Sequence, residues 1–285
     1  MAESRVGVLG ASSLVGGCVL PMLRDAGWQV VAFSRTIAEN GFDVEWRLLP
    51  FNEGMEKIPQ WICVAPIWVL PDNFSLLEAS GARRIVVLSS TSRFTKVGSG
   101  DTAENAVAAK LIDGEEKAQA WATSRGIEWV ILRPTLIYGL GKDKNISEIA
   151  GFIRRFGFFP IFGRAQGLRQ PIHAEDVAVA CVSALQAPEA VNRAYNISGG
   201  ETLVYREMIA RVFAALGRRL CILAVPLWVF RLAVIMLRFL PRYRHWSVAM
   251  AERMNRDLVF DHSDAKSDLG FSPRLFQLVR EDLPI

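Results

Sequence analysis

Val6-Gly7-Val8-Leu9-Gly10-Ala11-Ser12-Ser13-Leu14-Val15-Gly16 is the stretch on which the reading of this chain turns. The run Val6–Leu9 is apolar and closed by Gly10, the pattern of a buried strand rather than of a helix. From Val15 to Ala26 the spacing is helical, and Gly27 supplies a C-cap. A strand, a glycine turn and a helix therefore open the chain. The same alternation repeats outward. Apolar strands are expected at Trp28–Phe33, Trp61–Ala65, Arg84–Leu88 and Trp129–Leu132, with helices at Asp72–Ala79 and Ala103–Arg125. Strands that are apolar throughout, separated by helices, predict a doubly wound α/β fold around a parallel sheet covered on both faces. Beyond it, helices are expected at Asp176–Leu185 and Tyr205–Leu216, and a short strand at Ala194–Ile197.

With 285 residues, 51% hydrophobic and 22% charged, the chain has the material for a large core, which excludes disorder and low-complexity architectures. Cys18, Cys63, Cys181 and Cys221 are scattered without a close pair, and the three histidines lie far apart. No metal site and no disulfide framework is expected, and such cysteines fit a reducing compartment. The net charge of +4 is too modest to argue for nucleic acid. Its basic residues are mostly arginine, which suits bidentate contacts to an anionic small molecule. MAESRVGVLG runs straight into a strand without the regions of a signal peptide, so a cytoplasmic location is expected.

The opening turn carries chemistry. A glycine-rich turn between a first strand and a first helix lets the backbone approach a pyrophosphate, and the helix N-terminus offers free N–H groups. Here the spacing is G-x-x-S-x-x-G over Gly10–Gly16. The end of the second strand selects the dinucleotide. An acidic residue there would hold ribose hydroxyls and repel a 2′-phosphate, but the chain reads Phe33-Ser34-Arg35-Thr36. Arginine in place of an acid points to NADP, with NAD as the alternative. A side chain at Gly10 is expected to occupy pyrophosphate space while leaving the fold largely intact.

Six segments taken in order resemble the extended and atypical short-chain dehydrogenase/reductase superfamily, in its NAD(P)-dependent epimerase/dehydratase branch. They are GASSLVG (10–16), VVLSSTS (86–92), GIEWVILRPTLIYG (126–139), RQPIHAEDVAVACVSAL (169–185), YNISGGETLVYREMIARVF (195–213) and DLGFSPR (268–274). The resemblance implies a Rossmann sheet within residues 1–199 and a smaller C-terminal substrate domain in 200–285, with 141–168 crossing to the substrate side. It implies that Gly10, Ser12, Ser13, Leu14, Val15 and Gly16 line the pyrophosphate. Ser34 and Arg35 would meet the adenosine ribose and its phosphate. Ala65, Pro66 and Pro134 would pass beside the cofactor. Thr91 falls at the family's catalytic serine or threonine, and Arg169 where many nucleotide-sugar enzymes hold substrate phosphates.

One feature departs from the family. Its tyrosine and lysine, four residues apart on one helix, become Ala106 and Lys110 here, so Lys110 is left to bind ribose without the phenol. The other register pairs Asp113 with Lys117. The implied function is an NADP-binding epimerase/dehydratase-like protein acting on a nucleotide-sugar or a related carbonyl or alcohol. The alternative is a non-catalytic dinucleotide-binding sensor or assembly subunit. His173, in an apolar stretch, reads as a structural histidine. The apolar run Leu220–Leu240, with Arg231, Arg238, Arg242 and Arg244 in and after it, leaves three readings open. These are a helix over the substrate cleft, a membrane-surface helix, or a contact helix of a homodimer.

Overall fold

The computed structural model describes residues 5–36, 44–50, 56–226, 228–229 and 248–284. Its strands in chain order are β1 (Arg5–Leu9), β2 (Gln29–Ser34), β3 (Glu45–Leu48), β4 (Gln60–Cys63), β5 (Arg84–Leu88), β6 (Glu128–Pro134) and β7 (Ile137–Tyr138). They continue as β8 (Phe159–Phe162), β9 (Leu168–Arg169), β10 (Ile172–His173), β11 (Arg193–Ile197), β12 (Leu203–Val204) and β13 (Ile222–Val225). Seven of them form one parallel sheet in the order β11-β6-β5-β4-β1-β2-β3. The order reverses between β1 and β4, the switch point at which open sheets of this class bind ligands. Leu9 is in register with both Phe33 and Cys63, and Leu88 with Leu132, so the strand ends meet along a common edge.

Alternation along the strands builds a core on each face. Val6, Val8, Ala32, Ile62, Val86 and Val130 pack under α1 (Leu14–Asp25) and the later helix at Ala174–Gln186. Leu9, Phe33, Trp61, Cys63, Val87 and Ile131 face α2 (Phe74–Ala79) and the long helix at Thr102–Ser124. Trp61 is fully buried because β1 carries Gly7 beside it: a Cβ there would stand 2.6 Å from the indole. Between β5 and the long helix lies a single turn, α3 (Ser92–Thr95), so the long helix is α4. After β7 come α5 (Ile146–Phe156), α6 (Ala174–Gln186), α7 (Tyr205–Ala215), α8 (Val248–Arg253) and α9 (Ser263–Leu269). A third core joins Tyr138, Ile149, Ile153 and Phe159 to Met208, Phe213, Met254, Phe276 and Leu283.

The predicted strands and helices of the sheet are all present, with ends shifted by a few residues. Ala65 lies past the end of β4, and two tight 3-10 turns, Ile67–Val69 and Pro71–Asn73, precede α2. Strand β3, Glu45-Trp46-Arg47-Leu48, is short, alternates charged and apolar residues, and pairs with β2 at the sheet edge with Trp46 half-buried against the core. Of the run 220–240, residues Ile222–Val225 form β13, parallel to β8. Residues 227 and 230–247, with Arg231, Arg238, Arg242 and Arg244, lie outside the described residues. Among the described residues no helix is long and apolar enough to cross a membrane. No group of three metal-ligating side chains occurs among them either, and all four cysteines are free.

Candidate active site

Gly10 has φ +82°, and a Cβ on it would meet the Ala65 backbone nitrogen at 2.5 Å. The glycine therefore serves the fold, letting the first turn touch the chain leaving β4 at the switch point. This corrects the expectation that a side chain at position 10 leaves the fold intact. Gly16 is needed for the same kind of reason, its Cβ position lying 2.5 Å from the Ala11 carbonyl oxygen. Ser13 caps α1, its hydroxyl accepting from Gly16 N–H at 3.1 Å. The hydroxyls of Ser12 and Ser34 bond to each other at 2.6 Å and tie the turn to the end of β2. The turn also leaves backbone donors over. The N–H groups of Ser12, Leu14 and Val15 meet no protein acceptor among the described residues. Three such donors at a helix N-terminus form a place for an anion. Arg35, two residues beyond β2's buried Phe33, is exposed and without a partner among the described residues.

Farther along the same edge, past β5 and β6, opens a cavity of about 670 Å³. Ser90, Thr91, Ser92, Thr95 and Lys96 form one wall. Thr91 is 6% exposed, and both its N–H and its hydroxyl donate to the Pro134 carbonyl at 3.1 Å. Its hydroxyl proton is thus committed, and the oxygen offers only lone pairs to a ligand. The opposite wall is apolar, with Ile149, Phe152, Phe159, Phe162, Met208 and Phe260 among its residues. The charged groups of the lining are Lys96, Lys144, Arg169 and Arg253 against one carboxylate, Glu148. This balance favours an anionic occupant.

Arg169 lines the cavity but is 4% exposed and largely spent on structure. Its Nη1 donates to the carbonyls of Leu168 (2.7 Å) and Arg256 (2.8 Å), and its Nη2 to that of Arg253. Three of its five N–H donors are thus taken, one within β9 and two that fasten β9 to the end of α8 and the residues just after it. The guanidinium also stands 5.3 Å from the Tyr205 ring centroid, and burial lowers its pKa. Arg253 is in turn paired with Glu104 at the start of α4. His173 is structural, as read from sequence. Its Nδ1 accepts from Glu175 N–H at 3.2 Å, which leaves the proton on Nε2 to donate to Asp282 at 3.0 Å.

Lys110 does not join Thr91 in the cavity. Helix α4 buries Glu104, Ala108, Leu111, Glu115, Ala118 and Ala122, a stripe at helical spacing that leaves Ala106 and Lys110 exposed. The Lys110 ammonium lies 5.9 Å from the Trp68 ring centroid, and Asp113 pairs with Lys117 on the surface. The inward group is Glu115, 1% exposed, which accepts from Ser89, Arg93 and Arg133. Arg93 and Arg133 also flank the Phe94 ring. Sequence reasoning missed this cluster, although the small-residue stripe Ala108, Ala118 and Ala122 carries the phase that buries Glu115. It missed Lys96 as well, for which no local signal exists.

Comparison with known proteins agrees with this geometry. The model of the NAD dependent epimerase/dehydratase family matches residues 73–198. A UDP-glucose 4-epimerase of Vibrio cholerae is 25% identical over 161 residues, 56% of this chain and 47% of that one, so the match spans about half of the relative's length. Among solved structures, MoeE5 in complex with UDP-glucuronic acid and NAD shares the fold, with TM-score 0.70 and 21% identity over 95% of this chain and 94% of that one. A UDP-N-acetylglucosamine 4-epimerase from Bacillus cereus shares it with TM-score 0.69 and 17% identity, over 94% and 91%. The sheet order, the first turn and the match over 73–198 together make this chain similar to the NAD dependent epimerase/dehydratase family, whose model matches its central part.

Proposed function

We propose that this chain binds a nicotinamide dinucleotide across the switch point, NADP in preference to NAD. With it the chain acts on an alcohol or carbonyl carbon of an anionic small molecule of the nucleotide-sugar kind. One observation carries the reading: the N–H groups of Ser12, Leu14 and Val15, without acceptors among the described residues, lie on the same sheet edge as the cation-lined cavity. The residues fit a dinucleotide. Those three N–H groups would hold the pyrophosphate, Arg35 the 2′-phosphate, and the chain at Ala65 and Pro66 would pass beside the cofactor. When bound, the dinucleotide would supply hydride transfer at its nicotinamide. Thr91 would accept a hydrogen bond from a substrate hydroxyl, because its own proton is held by Pro134. Lys144 and the two remaining donors of Arg169 would face the substrate's anionic groups. The nucleotide-sugar class is supported by the ligand of MoeE5 and by the name of the Vibrio relative.

Calorimetry with NADPH and NADH tests this. NADPH is expected to bind more tightly, and equal affinities would remove the assignment of Arg35. A second reading, a dinucleotide-binding subunit without turnover, is favoured by the lack of a phenol on the inward face of α4. Turnover of UDP-glucose or UDP-glucuronic acid by the wild-type protein separates the two.

A further inference from the structure

We propose that Lys96 is the proton-transfer group of the cleft, acting on the substrate oxygen that Thr91 receives. The proposal rests on the reading that the cavity holds the substrate. Thr91 and Lys96 bracket a single helical turn, as the caps of α3, and both line the cavity. At about 1.5 Å rise per residue their Cα atoms are roughly 7–8 Å apart along the turn, a span that a lysine's four-carbon stem can bridge. The two side chains are complementary. Thr91 offers only lone pairs, because its proton is on the Pro134 carbonyl, whereas a lysine ammonium offers only donors. An alcohol oxygen placed between them donates to Thr91 and accepts from Lys96, whereas a carbonyl oxygen accepts from Lys96 alone. Ser90 cannot take this part, since a hydroxyl is too weak an acid to release a proton, and Lys110 is absent from the cavity.

The surroundings of Lys96 suit a group that gives up and regains a proton. Its ammonium has no ion-pair partner among the described residues, and it is partly buried. Burial lowers its pKa, and the Arg253 guanidinium lowers it further, while Asp101 pulls in the other direction. Glu104, the nearby carboxylate on α4, is occupied by Arg253 and Ser99. Glu115, on the same helix, is occupied by Arg93, Arg133 and Ser89. The remaining charges of the lining are Lys144, Arg169 and Glu148. In the reducing direction an N–H bond of Lys96 breaks and an O–H bond forms on the substrate oxygen as its C=O π pair moves onto oxygen. A reduced nicotinamide, when bound, would supply the hydride for the carbon, and the neutral amine regains a proton from water. In the oxidising direction the hydroxyl turns its proton from Thr91 to the neutral amine of Lys96, and each step reverses.

Two variants and one cofactor-free measurement test the proposal. Reductive methylation with ¹³C-formaldehyde makes the lysines visible by NMR, and Lys96→Arg identifies the Lys96 signal. That signal is expected to titrate at lower pH than the other lysines, and to shift when UDP-glucuronic acid is added. Reduction requires the ammonium, so turnover should fall as pH rises through this pKa, below the ordinary lysine range. Arginine keeps the charge but does not release a proton. Lys96→Arg should therefore bind UDP-glucuronic acid about as the wild type does and lose about 10²–10⁴-fold in kcat. Lys96→Met should lose affinity as well. A Lys96 signal that titrates with the surface lysines, or a Lys96→Arg protein with wild-type kcat, overturns the proposal. Failure of the wild type to bind NADPH removes the proposed function and the Lys96 step with it. A normal NADPH isotherm with an ordinary Lys96 titration removes the Lys96 step alone.

Discussion

The turn at Gly10–Gly16 and the helix carrying Lys110 flank one sheet edge, yet they are built on different principles. At the turn the glycines answer backbone requirements: a positive φ at Gly10 and close contact with Ala65, beside N–H groups without acceptors among the described residues. Such demands select residue types one by one, and glycine at 10 and 16 records them in the sequence. On α4 the requirement is a phase. Which residues face the sheet depends on where the helix begins and how it rolls, and a motif laid over Ala106 and Lys110 misses that phase by about one residue. Backbone sites are therefore legible where side-chain sites are not.

The sharpest way to break the comparison is to remove the buried carboxylate of α4. Glu115→Ala would leave Arg93 and Arg133 without their counter-charge under the strand ends, costing about 3–5 kcal/mol of stability. Chemical denaturation measures this, and a loss below 1 kcal/mol would show that the cluster does not hold the cleft wall. Next comes the turn. Gly10→Val imposes a β-branched residue on φ +82° against the Ala65 backbone, for roughly 2–4 kcal/mol, so lost dinucleotide binding should come with a lowered Tm. Binding lost at an unchanged Tm would restore a purely ligand-facing role for Gly10.

Arg35→Asp is smaller and more selective. Removal of a charge-assisted contact worth about 1.5–3 kcal/mol should weaken NADPH by roughly 10–100-fold and spare NADH, at unchanged Tm. Equal weakening of both dinucleotides would place Arg35 elsewhere than on the 2′-phosphate. Smallest of all is Lys110→Ala. An exposed lysine over Trp68 should change stability by less than about 0.5 kcal/mol. NADPH affinity should stay within about twofold in the same calorimetric series. A tenfold loss would bring Lys110 back to the ribose.

Much of the architecture was readable because the central strands are apolar along their whole length and punctuated by glycine and proline. The sheet, its parallel sense and the position of the first turn all follow from that. Strand β3 escaped because it is short and alternates charged with apolar residues, Glu45 and Arg47 being tolerated at an edge where it pairs with β2. Arg169 was found, but its tasks were not. The carbonyls it serves, those of Arg253 and Arg256, lie more than 80 residues away, and no local pattern announces them. Lys96 illustrates the same limit. Its place beside Thr91 depends on one extra helical turn between β5 and α4, which no periodicity marks.

The segment after α9 has a consequence for how the molecule is made. Arg274 reaches Asp176, Phe276 enters the third core, and Asp282 holds both His173 and the Leu140 N–H across separations of 109 and 142 residues. Synthesis runs from the N-terminus, so most of the sheet and the first turn are available while the cavity still lacks Tyr205, Met208, Arg253, Met254, Leu258 and Phe260 of its lining and the third core still lacks Phe276. If the first turn holds the proposed dinucleotide, a nascent chain would be able to bind it before it could hold a substrate. Ribosome-bound chains halted after residue 200 and after residue 284, compared for NADPH protection against protease, would show the two capacities arriving in that order.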